Sequence, residues 1–365
     1  WKKLLGKDTP IKTFEDVDFS LIYRHAVKER EKKKELSKEE KEAEKEKRDK
    51  EEAKYKSALV DGEKQQVGNF RMEPPGLFIG RGCHPKMGSI KKRLYPDDIT
   101  INIGKDAKIP VTNASHNGHD WAKIIHDRSV EWLASWIENV TGKRKYMWLA
   151  SHSKFKAESD KAKFDLARKL KKNVGKIRTS IDKELFHKEE TIRQVATALY
   201  LIDNFALRVG NEKGDDAADT VGVTNLRVEH ILFQDNDKIT LDFLGKDSIR
   251  YKNTHKVDPQ VYKNIKEFTV GKDKGDQLFN KIDSQFINKY LQSYMKDLTA
   301  KVFRTYNASN LLQKELNKIS RKIGEIADSD SDTDTDTDDI NMILDLFSKA
   351  NLKVAILCNH QKKVA

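Results

Sequence analysis

Cysteine is almost missing from this 365-residue chain. Cys83 and Cys358 stand far apart and in no metal-binding pattern, so the natural setting is a reducing compartment. Long apolar runs are missing too. The best, from Val195 to Ile202, falls far short of the ~20 residues a spanning helix needs, and no membrane insertion is expected. Trp1–Lys2–Lys3 is followed by polar sequence rather than the apolar stretch of a signal peptide. No G-x-x-x-x-G-K-[ST] occurs, and Gly76, Gly80, Gly82 and Gly88 have the wrong spacing, which disfavours a nucleotide-driven motor. A chain that opens on Trp rather than Met is expected to be a fragment.

Charge is what the sequence has in excess. Charged residues make up 35% of it, and the formal net charge is +12 even though seven aspartates are confined to one tract, Asp328 to Asp339. A basic excess of this size favours a polyanion such as nucleic acid, with an anionic membrane surface as the alternative. The tract 328–339 alternates Asp with Ser and Thr, and reads as a solvated acidic loop. It is either a phosphorylation site or an inert insertion between two helices.

The pattern predicts an α+β protein in three stretches. Residues 1–60 end in an almost wholly charged run, 28–56, read as an exposed helix laced by ion pairs, with a disordered segment as the alternative, since apolar residues are too sparse for a heptad seam. Residues 61–150 form a β-rich lobe, where Ile99–Thr100–Ile101–Asn102–Ile103 alternates as a half-buried strand does. Residues 151–365 are mainly helical. Ile192, Val195, Ala196, Leu199, Ile202, Ala206 and Val209 share one helix face, with Gly210 as the stop. Ile239, Leu241 and Phe243 alternate into the turn Gly245–Ser248, and Ile249 and Tyr251 alternate out of it. Ile287 to Leu298 forms a further amphipathic helix leading to Arg304.

Four segments carry chemistry. Ala206–Lys213 contains Arg208, Phe243–Tyr251 contains Lys246, Lys301–Ser309 contains Arg304, and Ile356–Gln361 contains His360. Converging, these four donors would suit a doubly charged phosphoryl transition state, because a guanidinium donates two hydrogen bonds and does not titrate. Lys246 at a hairpin tip could protonate a leaving oxygen, and no metal or other cofactor would be required. Taken singly each has a plainer reading: an arginine capping helix carbonyls, a solvated turn lysine, a structural histidine.

In order and wording these segments resemble the core of the eukaryotic type IB DNA topoisomerases. Asn69–Phe70, Glu73–Pro74–Pro75–Gly76–Leu77–Phe78, Gly80–Arg81–Gly82 and His84–Pro85–Lys86–Met87–Gly88 are similar to that family's clamp-lobe signature. The resemblance covers about Tyr55 to Gln361. It implies a clamp lobe and a catalytic lobe of tyrosine-recombinase type, closing on duplex DNA. It also implies ATP-independent relaxation of supercoils through a 3′-phosphotyrosyl intermediate, and a place in the nucleus, in replication and transcription. Arg208 and Arg304 match the transition-state arginines, Lys246 the general acid and His360 the phosphate-binding histidine. Arg81 and Asp247 match residues flanking the scissile step, where camptothecin-type poisons stack. His84, Lys91, Lys145, Lys163, Asn211, Lys213 and Thr220 fall where the family contacts DNA. Ile79 stands where many relatives carry arginine. None of the ten tyrosines has the family's Ser-Lys-x-Asn-Tyr context. The nucleophile is therefore expected on a C-terminal domain or a small subunit, and this chain alone should bind DNA without cutting it.

Two rival readings compete. A metal-dependent nuclease would use His116, His119 and Asp120, with His84 joining, or Asp215 and Asp216. The first cluster lies in a loop, where spacing is not held as on a helix. A DNA- or chromatin-binding scaffold is equally compatible with the charge, but gains nothing from His360 or the Gly245–Lys246–Asp247 hairpin.

Overall fold

The computed structural model describes residues 10–11, 16–111, 118–211, 217–329 and 337–361, with side chains left aside at 325–329 and 337–339. His116, Lys213, Asp215, Asp216 and residues 330–336 of the acidic tract lie outside the described residues. The chain divides into two units. One runs to Gly80 and resumes from Lys86 to Glu158; the other takes Arg81–Pro85 and everything from Ser159.

The first unit begins with the charged run, which is two helices rather than one: α1 (Ser20–Glu35) and α2 (Lys38–Glu52). The break has a local cause. Ser37 accepts from the Glu40 amide at 3.1 Å while Glu40 accepts from the Ser37 amide at 2.8 Å, a capping box that starts a new helix. Neither helix buries a residue, and pairs such as Lys32–Glu29 and Lys50–Glu46 line their surfaces.

Short hairpins follow, β1 (Ser57–Val60) with β2 (Glu63–Gln66) and β3 (Gly76–Leu77) with β4 (Ile90–Lys91). The main sheet has the order β6-β5-β7-β8, from β5 (Ile99–Asn102), β6 (Lys123–Ile125), β7 (Trp132–Ile137) and β8 (Arg144–Trp148). The predicted alternation holds in β5, where Ile99 and Ile101 are buried and their neighbours half-exposed. They pack with Ala134 and Trp136 of β7 into a small core.

The second unit is built around α3 (Lys154–Glu184) and α4 (Glu190–Asn204). Leu170, Val174, Ile177 and Ile181 of α3 recur at three- and four-residue spacing and are buried, as are Val195, Leu199 and Ile202 of α4. A three-stranded antiparallel sheet joins this core: β9 (Ile231–Gln234), β10 (Lys238–Leu244) and β11 (Arg250–Lys256), in the order β11-β10-β9. Ile239, Leu241 and Phe243 of β10 point inward, each burial contributing roughly 1.5–3 kcal/mol. Helices α5 (Pro259–Phe268), α6 (Ser284–Gln292), α7 (Ala300–Ser329) and α8 (Thr337–Leu357) complete it. No described helix is long and apolar enough to cross a membrane.

Candidate active site

Arg208 stands on a loop, not in a helix. Apolar spacing extends the helix to Gly210, but α4 ends at Asn204 and Ala206 takes a left-handed φ of 49° that turns the chain away. Ala206 and Leu207 are nevertheless buried, so they continue the apolar pattern beyond the helix. The loop is held by sheet-like bonds instead: the Val223 amide donates to Arg208 O at 2.9 Å and the Thr224 amide to Val209 O at 2.7 Å. This crossing requires glycine. A Cβ on Gly222 would lie 2.4 Å from the Gly210 nitrogen and 2.7 Å from Arg208 O.

Lys246 lies where the alternation puts it, between paired strands. Phe243 faces Tyr251 and Leu244 faces Arg250 across the hairpin, and a single 3-10 turn, Lys246–Ser248, closes it. The Gly245 amide donates to Ile249 O at 2.8 Å, and Asp247 adopts φ 67°. The lysine side chain is exposed.

Arg304 is inside a helix, where the spacing puts it just past one. Helix α6 stops at Gln292, Asp297 takes φ 64°, and α7 restarts at Ala300, whose amide donates to Asn288 Oδ1 at 3.0 Å. Arg304 therefore sits on the second turn of α7. Its guanidinium donates to Ala206 O at 3.1 Å and to Cys358 O.

His360 owes its position to a helix stop. Asn359 takes φ 47° after Leu357, the His360 amide donates to Ala355 O at 2.8 Å and the Asn359 amide to Ile356 O at 3.0 Å. This is the Schellman arrangement, with asparagine in the left-handed place. Leu352 and Ile356 of α8 are exposed, whereas Ala350 and Cys358 are buried. His360 as a whole residue is exposed.

All four side chains line one cavity of about 290 Å³, with Asp247, Tyr251 and Cys358 also on its wall. Burial, reinforced by the nearby Arg208 charge, lowers the Arg304 pKa, and burial with Arg304 and Arg208 lowers that of His360. Cations that depress one another in this way leave a place suited to an anion. Asp247, the acid of the wall, is engaged by Arg81. Of the ten tyrosines only Tyr251 reaches the cavity, and its hydroxyl is tied to His255 Nε2 at 2.8 Å. The carbonyls of Ala206 and Cys358, which hold Arg304, were not legible beforehand, because a backbone acceptor leaves no side-chain signal.

The remaining predicted contacts are more scattered. Arg81 and His84 belong to the loop that joins the second unit, and Gly82 lies so near Ser248 that a Cβ would meet its hydroxyl at 2.4 Å. Asn211 accepts from Ser284 Oγ at 2.7 Å, beside a polar cavity of about 430 Å³. Thr220 is buried. Lys163 pairs with Asp160 at 3.0 Å and lies over the Phe164 ring. In the first unit Lys91 pairs with Glu73, and Lys145 is exposed on β8. His119 of the metal reading is occupied otherwise, stacked on Tyr95 and 2.7 Å from Asp97. Among the described residues no group of three His, Cys, Asp or Glu side chains could hold a metal ion.

A mixed helix-and-sheet core brings two arginines, a lysine and a histidine to one cavity, an arrangement suited to an anion. Family models match both parts of the chain. The model described as the catalytic core of eukaryotic DNA topoisomerase I matches residues 152–365, and that of its DNA-binding fragment matches residues 1–149. The chain belongs to the eukaryotic DNA topoisomerase I family. It is similar to DNA topoisomerase 1 beta of Arabidopsis thaliana, 47% identical over 366 residues that cover all of this chain and 38% of the relative. DNA topoisomerase 1 of Candida albicans is 48% identical over 365 residues, again all of this chain and 45% of the relative. That of Candidozyma auris is 47% identical over 361 residues, 99% of this chain and 46% of the relative. The chain thus spans less than half the length of these relatives.

Proposed function

We propose that this chain is the DNA-binding and phosphate-activating core of a type IB topoisomerase, which relaxes supercoiled duplex DNA without ATP. The single observation that supports this reading is the convergence of Arg208, Lys246, Arg304 and His360 on one cavity. Arg208, Arg304 and His360 donate to the non-bridging oxygens of the scissile phosphate, where negative charge builds as the pentavalent state forms. A tyrosine oxygen attacks phosphorus, and the bond to the 5′ oxygen breaks. Lys246 supplies the proton that this oxygen takes up, leaving a 3′-phosphotyrosyl link and a free 5′-hydroxyl. After the duplex swivels, the hydroxyl attacks in reverse and the strand is restored. Cations supplied by side chains stand where other phosphoryl-transfer enzymes place a metal.

The tyrosine comes from another segment or a separate subunit. Tyr251 is the sole tyrosine at the cavity, and it is packed into the wall with its hydroxyl engaged. Arg81, His84, Lys91, Lys145, Lys163, Asn211, Lys213, Thr220 and Asp247 contact DNA, mostly through phosphates, which gives little sequence choice and strong salt dependence. The place of action is the nucleus. A non-catalytic DNA-binding scaffold is the second reading, favoured by the net charge of +12 alone.

The test is relaxation of supercoiled plasmid without ATP or Mg²⁺, by the chain alone and with a tyrosine-bearing segment added. Relaxation only in the second case is expected. Relaxation by the chain alone would move the nucleophile onto one of its own tyrosines, and none in either case would favour the scaffold.

A further inference from the structure

Asp203 is an acid in an unfavourable place. It lies in the last turn of α4, where the helix dipole opposes a negative charge, and only 5% of it is exposed. Burying a carboxylate there is costly unless it is paired and fully hydrogen-bonded. The surroundings meet that demand from two other helices. Arg178 of α3 donates to both oxygens, Nε at 2.7 Å and Nη2 at 3.0 Å. Asn307 of α7 donates through Nδ2 to Asp203 Oδ1 at 2.9 Å and also to its backbone carbonyl.

The positions of these partners in the chain matter more than their number. Asp203 precedes the Arg208 loop by a few residues, and Asn307 lies one helical turn beyond Arg304 on α7. Between them Arg304 donates to Ala206 O. α7 is thus pinned twice, at Asp203 in the last turn of α4 and at Ala206 in the loop that carries Arg208. A neutral packing contact would hold the helices, but would leave sliding along the α7 axis free. The Asn307 amide, sharing one nitrogen between two oxygens of Asp203, removes that freedom.

We infer that Asp203, clamped by Arg178 and Asn307, is a positioning residue that sets the relative placement of Arg208 and Arg304 around the reacting phosphate. This rests on the proposed function. Asp203 itself is absent from the cavity wall. Misplacing reacting groups by ~1 Å can cost on the order of 100-fold in rate.

The experiment compares wild type with Asp203→Asn and Asn307→Ala, each supplied with the tyrosine-bearing segment and assayed well below its melting temperature. With rates normalised to the folded fraction, kcat for relaxation is expected to fall about 10- to 100-fold while KM for plasmid stays within about twofold. A kcat within about twofold of wild type in both variants overturns the inference, as does a loss confined to KM. A second readout needs no turnover. In arginine-15N-labelled chain titrated with a short duplex, the Arg304 Nε–H line should be single in wild type and broadened or split in both variants. Unchanged lines would also overturn it. A wild type that relaxes nothing counts against the proposed function instead, and the resonance comparison still decides the role of Asp203.

Discussion

Arg304 is hydrogen-bonded to the carbonyl oxygen of Ala206 at 3.1 Å, a residue that itself sits in a left-handed turn with φ 49°. The bond ties a helix to a loop, and the Cys358 carbonyl on the same guanidinium adds the segment that carries His360. One planar side chain therefore organises three of the segments around the cavity while still facing it.

Arg304→Lys should separate charge from geometry. An ammonium keeps the cation but cannot span both carbonyls as a planar fork does. Phosphoryl transfer measured with the added tyrosine segment is expected to fall at least about 100-fold, the usual scale for losing a transition-state donor. Duplex affinity should change less than about threefold.

Lys246→Ala and His360→Ala should leave duplex affinity, and its slope against salt, nearly as in wild type. Both variants should lose relaxation. Fluorescence anisotropy over a salt series checks this. A large drop in affinity with a shallower slope would mark the two residues as simple phosphate anchors and support the scaffold reading.

Gly222→Ala should act on Arg208 from behind. The new methyl would collide with the Gly210 nitrogen and with the carbonyl of Arg208, both backbone atoms that cannot swing aside. Thermal denaturation should show a loss of roughly 1–3 kcal/mol, the range for overpacking. Activity normalised to folded protein should fall as well, because the loop must shift.

Acid should weaken the second unit through two histidines. Burial lowers the pKa of His255, and burial together with the Arg227 charge lowers that of His230. His230 Nδ1 accepts from the Arg227 amide, and His255 Nε2 is hydrogen-bonded with the Tyr251 hydroxyl. The unfolded chain then binds protons more readily than the native one, so stability rises with pH in this range. It should be fully present above the usual histidine value of about 6.5 and be lost as pH falls below it. Melting temperatures from pH 8 to pH 5 check the slope, and His255→Gln should flatten it.

Much of this protein is legible in its amino acids. The alternations at Ile99–Asn102 and Ile239–Phe243 are strands because a pleated chain shows one face to the core and one to water. The hairpin that carries Lys246 follows from two such runs around Gly245, and the family likeness rests on motifs written in one dimension. Helix ends were harder to read. Ser37 splits a charged run, and Ala206 and Asp297 turn left-handed without being glycine, the Ala206 carbonyl accepting from distant Arg304. Only the tertiary structure decided that residues as far apart in sequence as Arg208 and His360 line one cavity. It also showed that Arg304 is aimed by the carbonyls of Ala206 and Cys358 and that α4 is pinned to α7 through Asp203. The reason is physical: periodicity records which face of an element meets the core. Convergence depends on the packing of those faces and on backbone groups that every residue shares.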